Sequence, residues 1–370
     1  MQDLSKKQAE AAEKIKKWYT GRESQIFRMF GYAGTGKTTT IDQAVSALGA
    51  NTVYAAYTGK AAAVMRAHGI PHAQTIHSLI YKCKEGLDGK LHFHLNPDSI
   101  AQFADLIVLD ECSMVGEKVA RDILSFGKPV LVIGDPGQLP PVKDTGFLIK
   151  GTPDVMLTEV HRQSAGNPIL ALATDVRNGL RPAYGRYGKS EILHVDDLDD
   201  DRLWAADQVI VGLNKTRKML NRKARKHFGF PDPVPMFGEK VVCLRNNYAY
   251  NIFNGETFNV LSCVDHEDMP DFVNMSLIRT EGPSSDVVEN VVVHKAFFVG
   301  EPDDLPQWIR LSGAEFDFGH TITCHKSQGS QWNNVLVFDQ SGAFKEDANK
   351  WLYTAITRAA ESVTIVRGRI

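Results

Sequence analysis

This chain lacks paired cysteines, long apolar runs, repeats and an excess of charge of either sign. Its five cysteines, Cys83, Cys112, Cys243, Cys263 and Cys324, are scattered and never spaced as metal ligands. That argues against a disulfide framework or a zinc site and fits reduced thiols in a cytoplasmic protein. The opening residues, Met1-Gln-Asp-Leu-Ser-Lys-Lys-Gln8, contain no apolar signal region. Nowhere do the roughly 20 apolar residues of a membrane span run together, so no membrane partner is expected. The formal net charge is −2, so any polyanion has to be held by a local patch rather than by the whole molecule's field. Low-complexity tracts are absent too. What the chain does have is length, 370 residues with 43% hydrophobic content, enough for two or three domains with real cores.

Short apolar, β-rich runs at 26–30, 52–56, 106–109 and 130–133 alternate with helical stretches. This pattern predicts a parallel sheet covered on both faces, with ligands at the C-terminal strand ends. A second series follows at 209–213, 335–338 and 363–366. Between the members of that series, about 231–316, β-branched residues, prolines and turns predict a small all-β insertion. The acidic cluster 196–201 reads as a solvated loop. The basic run Lys215, Arg217, Lys218, Arg222, Lys223, Arg225 and Lys226 contains no carboxylate, and reads either as a solvated helix face or as a polyanion contact.

The sharpest chemical signal is Gly31-Tyr-Ala-Gly-Thr-Gly-Lys37-Thr38, a complete phosphate-binding loop between an apolar strand and a helix-compatible stretch. Glycines let backbone N–H groups converge on the β-phosphate, and the helix N-terminus adds a favourable dipole. Candidate nucleotide ligands are Gly34, Thr35, Gly36, Lys37, Thr38 and Thr39, with the Lys37 ammonium on the β- and γ-phosphates and the Thr38 hydroxyl on Mg²⁺. The strand Leu106-Ile-Val-Leu ends in Asp110-Glu111. Asp110 at the strand tip is placed for the Mg²⁺ shell, and Glu111 for deprotonating a water that attacks the γ-phosphate, which favours hydrolysis over transfer. Gln138, in the polar turn after 130–134, is an amide suited to sensing the γ-phosphate.

Taken in order, these segments and several more resemble the superfamily-1 DNA helicases of the 5′-to-3′, RecD/Dda-like branch, over almost the whole chain. Leu4-Ser-Lys-Lys-Gln8 resembles the segment whose Gln recognises adenine. Ala56-Tyr57-Thr58-Gly59-Lys60 and Thr75-Ile76-His77-Ser78 resemble strand-contacting motifs, which implies DNA contacts from Thr58, Lys60, Thr75, His77 and Ser78. Glu159-Val160-His161-Arg162-Gln163 and Tyr353-Thr354-Ala-Ile-Thr357-Arg358 resemble the motifs that carry two arginine fingers, Arg162 and Arg358. The segment from Gly319 to Gly329 resembles the motif joining strand to nucleotide. It implies DNA contacts from Thr323, His325 and Lys326 and a nucleotide contact from Gly329. The chain departs from the family at Tyr57, where Pro is common, and at His320.

The resemblance implies two RecA-like α/β motor domains: 1–150, and 151–231 with 317–370. An SH3-like β domain is inserted at 232–316, and a β-hairpin pin lies at about 82–97, where Asp88-Gly89 is a hairpin-turn signal. Phe93 on that hairpin and Asn254 in the insertion join the implied DNA contacts, and Trp332 is a candidate for stacking or for core. The implied activity is ATP- and Mg²⁺-dependent 5′-to-3′ translocation on single-stranded DNA with unwinding at single-strand/duplex junctions. The implied protein is a monomer in the cytoplasm, that of the host if phage-encoded, with replication or recombination proteins as candidate partners. Two alternatives share the loop: a translocase that mainly strips proteins from DNA, and a small-molecule phosphotransferase.

Overall fold

Ser5 starts the first helix, α1 (Lys6–Gly21), through a capping box: its hydroxyl accepts from the Gln8 N–H while the Gln8 side chain accepts from the Ser5 N–H. Gln8, Ala11, Ile15 and Trp18 are the buried face at helical spacing, and Arg22 ends the helix in the left-handed region at φ 52°. Trp18 then packs on Phe27 of the first strand with ring centroids 5.2 Å apart.

The computed structural model describes residues 4–369 except 68, 86–90, 141–145, 160–165, 281–285 and 301–304. The chain divides into two compact units. The first takes residues up to Lys84, then His92–Arg181 and Asn349–Thr357; the second takes Glu85 and Leu91, Pro182–Ala348 and the residues from Arg358 on.

In the first unit, β1 (Ile26–Gly31), β2 (Thr52–Ala56), β3 (Gln74–Thr75), β6 (Leu106–Asp110), β7 (Val130–Gly134) and β8 (Val155–Leu157) form one parallel sheet in the order β3-β2-β6-β7-β1-β8. Strand periodicity splits β6 between two cores. Leu106 and Val108 pack with α1 and α2 (Lys37–Ser46); Ile107 and Leu109 pack with α4 (Ile76–Ile80) and α5 (Glu117–Leu124). The sheet is therefore covered on both faces, as the runs predict. Beside it, β4 (Tyr81–Glu85) and β5 (Leu91–Leu95) pair as a two-stranded ribbon, whose turn Asp88-Gly89 lies outside the described residues. β8 pairs beside β1 and α6 (Pro168–Arg177) packs with the same unit, so this compact unit runs on to Arg181.

The second unit holds another six-stranded sheet, in the order β17-β11-β18-β19-β10-β9. It is parallel throughout, from β17 (Thr321–Thr323) through β11 (Gln208–Val211), β18 (Trp332–Phe338), β19 (Ala359–Arg367) and β10 (Ser190–His194), except for the antiparallel edge strand β9 (Gly185–Tyr187). Trp332 is a buried residue of β18, not an exposed stacking surface. A separate antiparallel sheet, β15-β14-β13-β12-β16, is built from β12 (Lys240–Cys243), β13 (Thr257–Asp265), β14 (Phe272–Arg279), β15 (Val287–His294) and β16 (Phe316–Phe318), around its own core that includes Phe258 and Phe316.

The acidic run is solvated, as expected, but its second half is a helix start rather than a loop. Asp199 caps α7 (Asp200–Ala205) by accepting the Arg202 N–H at 2.7 Å, and Asp200 and Asp201 fill the first turn, where the helix dipole favours negative charge. The basic run lies on α8 (Asn214–Phe228), and three of its cations find carboxylates elsewhere in the unit: Arg217 with Asp317, Lys223 with Asp200 and Arg225 with buried Glu239. Lys215, Lys218, Arg222 and Lys226 are exposed.

Candidate nucleotide and nucleic-acid sites

The phosphate loop joins β1 to α2 in the first unit. Gly34 and Gly36 adopt φ 76° and 73°, where a side chain is strained, and a Cβ at Gly34 would lie 2.6 Å from Leu170. Thr35 is buried, with its hydroxyl on the Tyr32 carbonyl at 2.8 Å. Lys37 donates to the Gly31 and Tyr32 carbonyls at 2.8 and 3.2 Å. Thr38 presents an exposed side chain and Thr39 a half-buried one. The amide of Gln8 is engaged at both ends, its oxygen by the Ser5 N–H and its nitrogen by the Thr35 carbonyl at 3.2 Å. The capping box thus places Gln8 against the loop.

Asp110 ends β6 and accepts the Glu111 N–H at 2.8 Å. Burial pushes its carboxyl above the usual range, while that N–H and the nearby Lys37 charge pull the other way. Glu111 sits at φ 53°, ψ 40°, a left-handed conformation uncommon for any residue but glycine. Gln138 is 6% exposed, and its Oε1 has no hydrogen-bond partner among the described residues. A buried carbonyl oxygen without a donor is costly unless a ligand or water supplies one.

Around the turn of Gln138 the structure assembles residues that the motif reading passed over. The helix Ala348–Ile356 contributes Tyr353 and Thr354. The Tyr353 hydroxyl accepts the Ala33 N–H of the phosphate loop at 2.8 Å and donates to Asp135 Oδ2 at 2.7 Å. Thr354 Oγ1 accepts the Leu139 N–H at 2.9 Å. Both residues lie inside the motif quoted for Arg358, which was the available signal. Arg177 also places its guanidinium 3.5 Å from the ring centroid of Tyr32.

The implied strand contacts of the first unit fall on neighbouring segments. Thr58 accepts the Ala61 N–H and Thr75 caps α4 by accepting the Ser78 N–H, so both hydroxyls have local structural work. Lys60 is buried at 5% exposure, whereas Ser78 is exposed. His77 is the centre of an aromatic cluster, with ring centroids 6.1 Å from Tyr57, 5.5 Å from Tyr81 and 6.0 Å from Phe93. Burial, then the Lys118 charge, lowers its pKa. Phe93 remains 48% exposed. Tyr57 lies in a quoted motif only as its departure from the family, and Tyr81 carries no motif, so their place beside His77 is seen only in three dimensions.

In the second unit, Thr323 ends β17 and its carbonyl caps the next turn, accepting from Lys326 and Ser327. His325 packs 5.8 Å from Phe344, and burial lowers its pKa. Lys326 donates to the Leu244 carbonyl at 3.1 Å and to Asn254 Oδ1, which brings two implied DNA contacts together. Gly255 takes φ 90°, and a Cβ there would lie 3.0 Å from the Lys326 carbonyl oxygen. Gly329 takes φ 77°. Arg358 is 6% exposed and donates to the Ser330 carbonyl at 3.2 Å. His320, the departure from the family, stacks on Phe228 at 5.2 Å, and burial lowers its pKa to about 3. Arg162 lies outside the described residues.

The sequence matches the family described as AAA domain over residues 3–197, just over half of the chain, and the UvrD-like helicase C-terminal domain over 318–366. It is 30% identical over 366 residues to the ATP-dependent RecD2 DNA helicase of Deinococcus radiodurans, which covers 90% of this chain and 45% of that protein. The chain therefore spans less than half the length of that relative. The fold is similar to that in a structure of two coordinating Pif1 helicases at forked duplex DNA, with TM-score 0.58, 18% identity, and 98% and 92% of the two chains covered. It is similar also to Bacteroides Pif1 in complex with ADP-AlF3 and single-stranded DNA, with TM-score 0.57, 17% identity and the same coverages.

Proposed function

The chain belongs to the AAA-domain family, and from that premise we propose that it is a superfamily-1 helicase of the RecD and Pif1 type that hydrolyses ATP to move 5′ to 3′ along single-stranded DNA and opens duplex ahead of it. One observation carries the ATPase part. A phosphate loop, the Asp110-Glu111 strand tip with Glu111 held at positive φ, and the amide oxygen of Gln138, which has no hydrogen-bond partner among the described residues, all belong to a single compact unit. Strained backbone persists where the surroundings over-determine it, and such residues cluster at reactive sites.

In this reading the loop N–H groups and Lys37 bind the β- and γ-phosphates, and Gln8 faces adenine at the loop's edge. Glu111 takes the proton of the attacking water, and Gln138 meets the γ-phosphate. The exposed Thr38 hydroxyl and the Asp110 carboxylate fit Mg²⁺, which when bound spreads the charge on the phosphate oxygens. Arg358 and Arg162 act as arginine fingers, and Gly329 approaches the nucleotide.

The two parallel sheets are read as RecA-like motors. The antiparallel sheet β12–β16 is read as the SH3-like insertion, and the ribbon β4–β5 as the pin. Single-strand contacts fall to Thr58, Lys60, Thr75, His77, Ser78 and Phe93 in the first unit and to Asn254, Thr323, His325 and Lys326 in the second. The exposed Phe93 ring beside half-buried His77 supports this, because sequence-tolerant grip combines cations with stacking faces. Direction follows from the family resemblance. The test is ATPase rate with and without single-stranded DNA, then unwinding of 5′- and 3′-tailed duplexes. DNA-stimulated hydrolysis with unwinding of the 5′-tailed substrate alone is expected. Hydrolysis indifferent to DNA would overturn the reading, and stimulation without unwinding would leave a protein-stripping translocase.

A further inference from the structure

Resting on the ATPase reading above, we propose that Tyr353 is a positioning residue for hydrolysis, whose hydroxyl locks the phosphate loop at Ala33 to the turn that presents Gln138. The geometry is a chain of buried hydrogen bonds. Tyr353, 1% exposed, accepts the Ala33 N–H at 2.8 Å and donates to Asp135 Oδ2 at 2.7 Å. The other oxygen of Asp135 accepts the Gly137 N–H at 2.9 Å, and the Asp135 carbonyl accepts the Gln138 N–H at 3.1 Å. The next residue of the helix, Thr354, holds the Leu139 N–H at 2.9 Å. Two of the backbone N–H groups that shape the 135–139 turn, those of Gly137 and Leu139, therefore hang on one carboxylate and one hydroxyl, and that carboxylate is oriented by Tyr353.

Packing enforces the arrangement. A Cβ at Gly137 would lie 3.0 Å from Tyr353 Cε1, so a glycine lets the ring lie against the turn. Burial, then the Asp135 carboxylate, pushes the phenol well above its ordinary value, so the group stays protonated and keeps donating. The phosphate loop and the Gln138 turn must hold a fixed spacing for a γ-phosphate to meet both, and small misplacements of positioned groups slow a reaction strongly. A phenol with one acceptor lone pair on the loop and its proton on the turn fixes that spacing with no flexible joint between.

The test is Tyr353→Phe in the full chain, which keeps the ring and removes only the hydroxyl. At saturating ATP and single-stranded DNA, kcat should fall about tenfold, about 1.4 kcal/mol of barrier, while KM for ATP stays within about threefold. A merely structural hydroxyl would lower the melting temperature and leave kcat alone, so kcat within about twofold of wild type overturns the proposal. Should that variant not fold, Asp135→Asn, which weakens the acceptor at constant size, should show the same split of kcat from KM, and a normal kcat there overturns it equally. Wild-type protein without ATP hydrolysis would remove the ATPase reading and this inference together. Active wild type with an unimpaired Tyr353→Phe removes this inference alone.

Discussion

Glu111 shows how far a single residue can be read. Its place after an apolar strand and beside Asp110 follows from the sequence, but its φ of 53° does not, because backbone strain is set by what surrounds a residue. Glu111→Gln should keep nucleotide binding and lose turnover by roughly 10²–10⁴-fold, since the amide cannot accept the water's proton. Fluorescent-nucleotide titration beside single-turnover hydrolysis checks this, and near-normal turnover would exclude Glu111 as the base. Lys37, Thr38 and Asp110 were legible for the same reason as Glu111: their motifs are local, and the loop chemistry is written in eight consecutive residues. The link of Tyr353 to Asp135 was not, because the hydrogen bond spans 218 residues and the motif around Tyr353 names no partner for its hydroxyl. Lys60 and Lys326 mark the opposite limit. A motif names the residue, yet Lys60 is buried and Lys326 is committed to Leu244 and Asn254, which no pattern announces.

At the scale of elements, the period of the apolar runs located the long strands well, because a buried parallel strand must be nearly continuous in apolar residues. It missed β3, of two residues, and β8 and β17, of three each, since so short a run carries no period, and it missed the five-residue β10, whose polar Ser190 and Glu191 break the apolar run. The acidic run became a helix start because a cap is a local hydrogen bond that competes with solvation, and Asp199 makes it. The ribbon β4–β5 is the element whose function is most separable. Phe93 lies edge-on to His77 and Tyr81, which braces the second strand of the ribbon on its own unit. Replacing residues 84–94 by a short glycine-serine link touches no phosphate-binding group. DNA-stimulated ATPase and single-strand translocation should therefore survive, while unwinding of a 5′-tailed duplex should fall at least about tenfold, one barrier step of about 1.4 kcal/mol. Unwinding that persists at the wild-type rate would place the wedge elsewhere.

For the whole molecule, the net charge of −2 gives no sign of a nucleic-acid partner, and the structure explains why it need not. Cations are segregated: α8 carries its basic residues without a single carboxylate, and only some of them are paired from elsewhere in the unit. Affinity for a single strand should fall with salt, log K against log salt having a slope of about −0.7 for each neutralised phosphate. A slope near zero would remove strand binding. Reversing the charge of the exposed Lys215, Lys218, Arg222 and Lys226 together shows whether α8 contributes, by a shallower slope if it does. The α/β class and the β insertion were legible at this scale from texture alone. The extent of the first unit was not, because pairing of β8 with β1 depends on registers that only the folded sheet reveals.

The assignment of Asn349–Thr357 to the first unit has a consequence for how this protein comes into being. A ribosome releases the phosphate loop early, but the hydroxyl that engages its Ala33 N–H is translated 320 residues later. Domains tend to fold as they emerge, N-terminal first. Here the leading domain has to wait with its Gln138 turn unfastened while the whole of the trailing sheet is still being made, and the last strand of that sheet, β19, follows directly on the helix that closes it. The hydroxyl that engages the phosphate loop thus exists only once the helix Ala348–Ile356 has been made, so a chain stopped before that helix has the loop without this fastening.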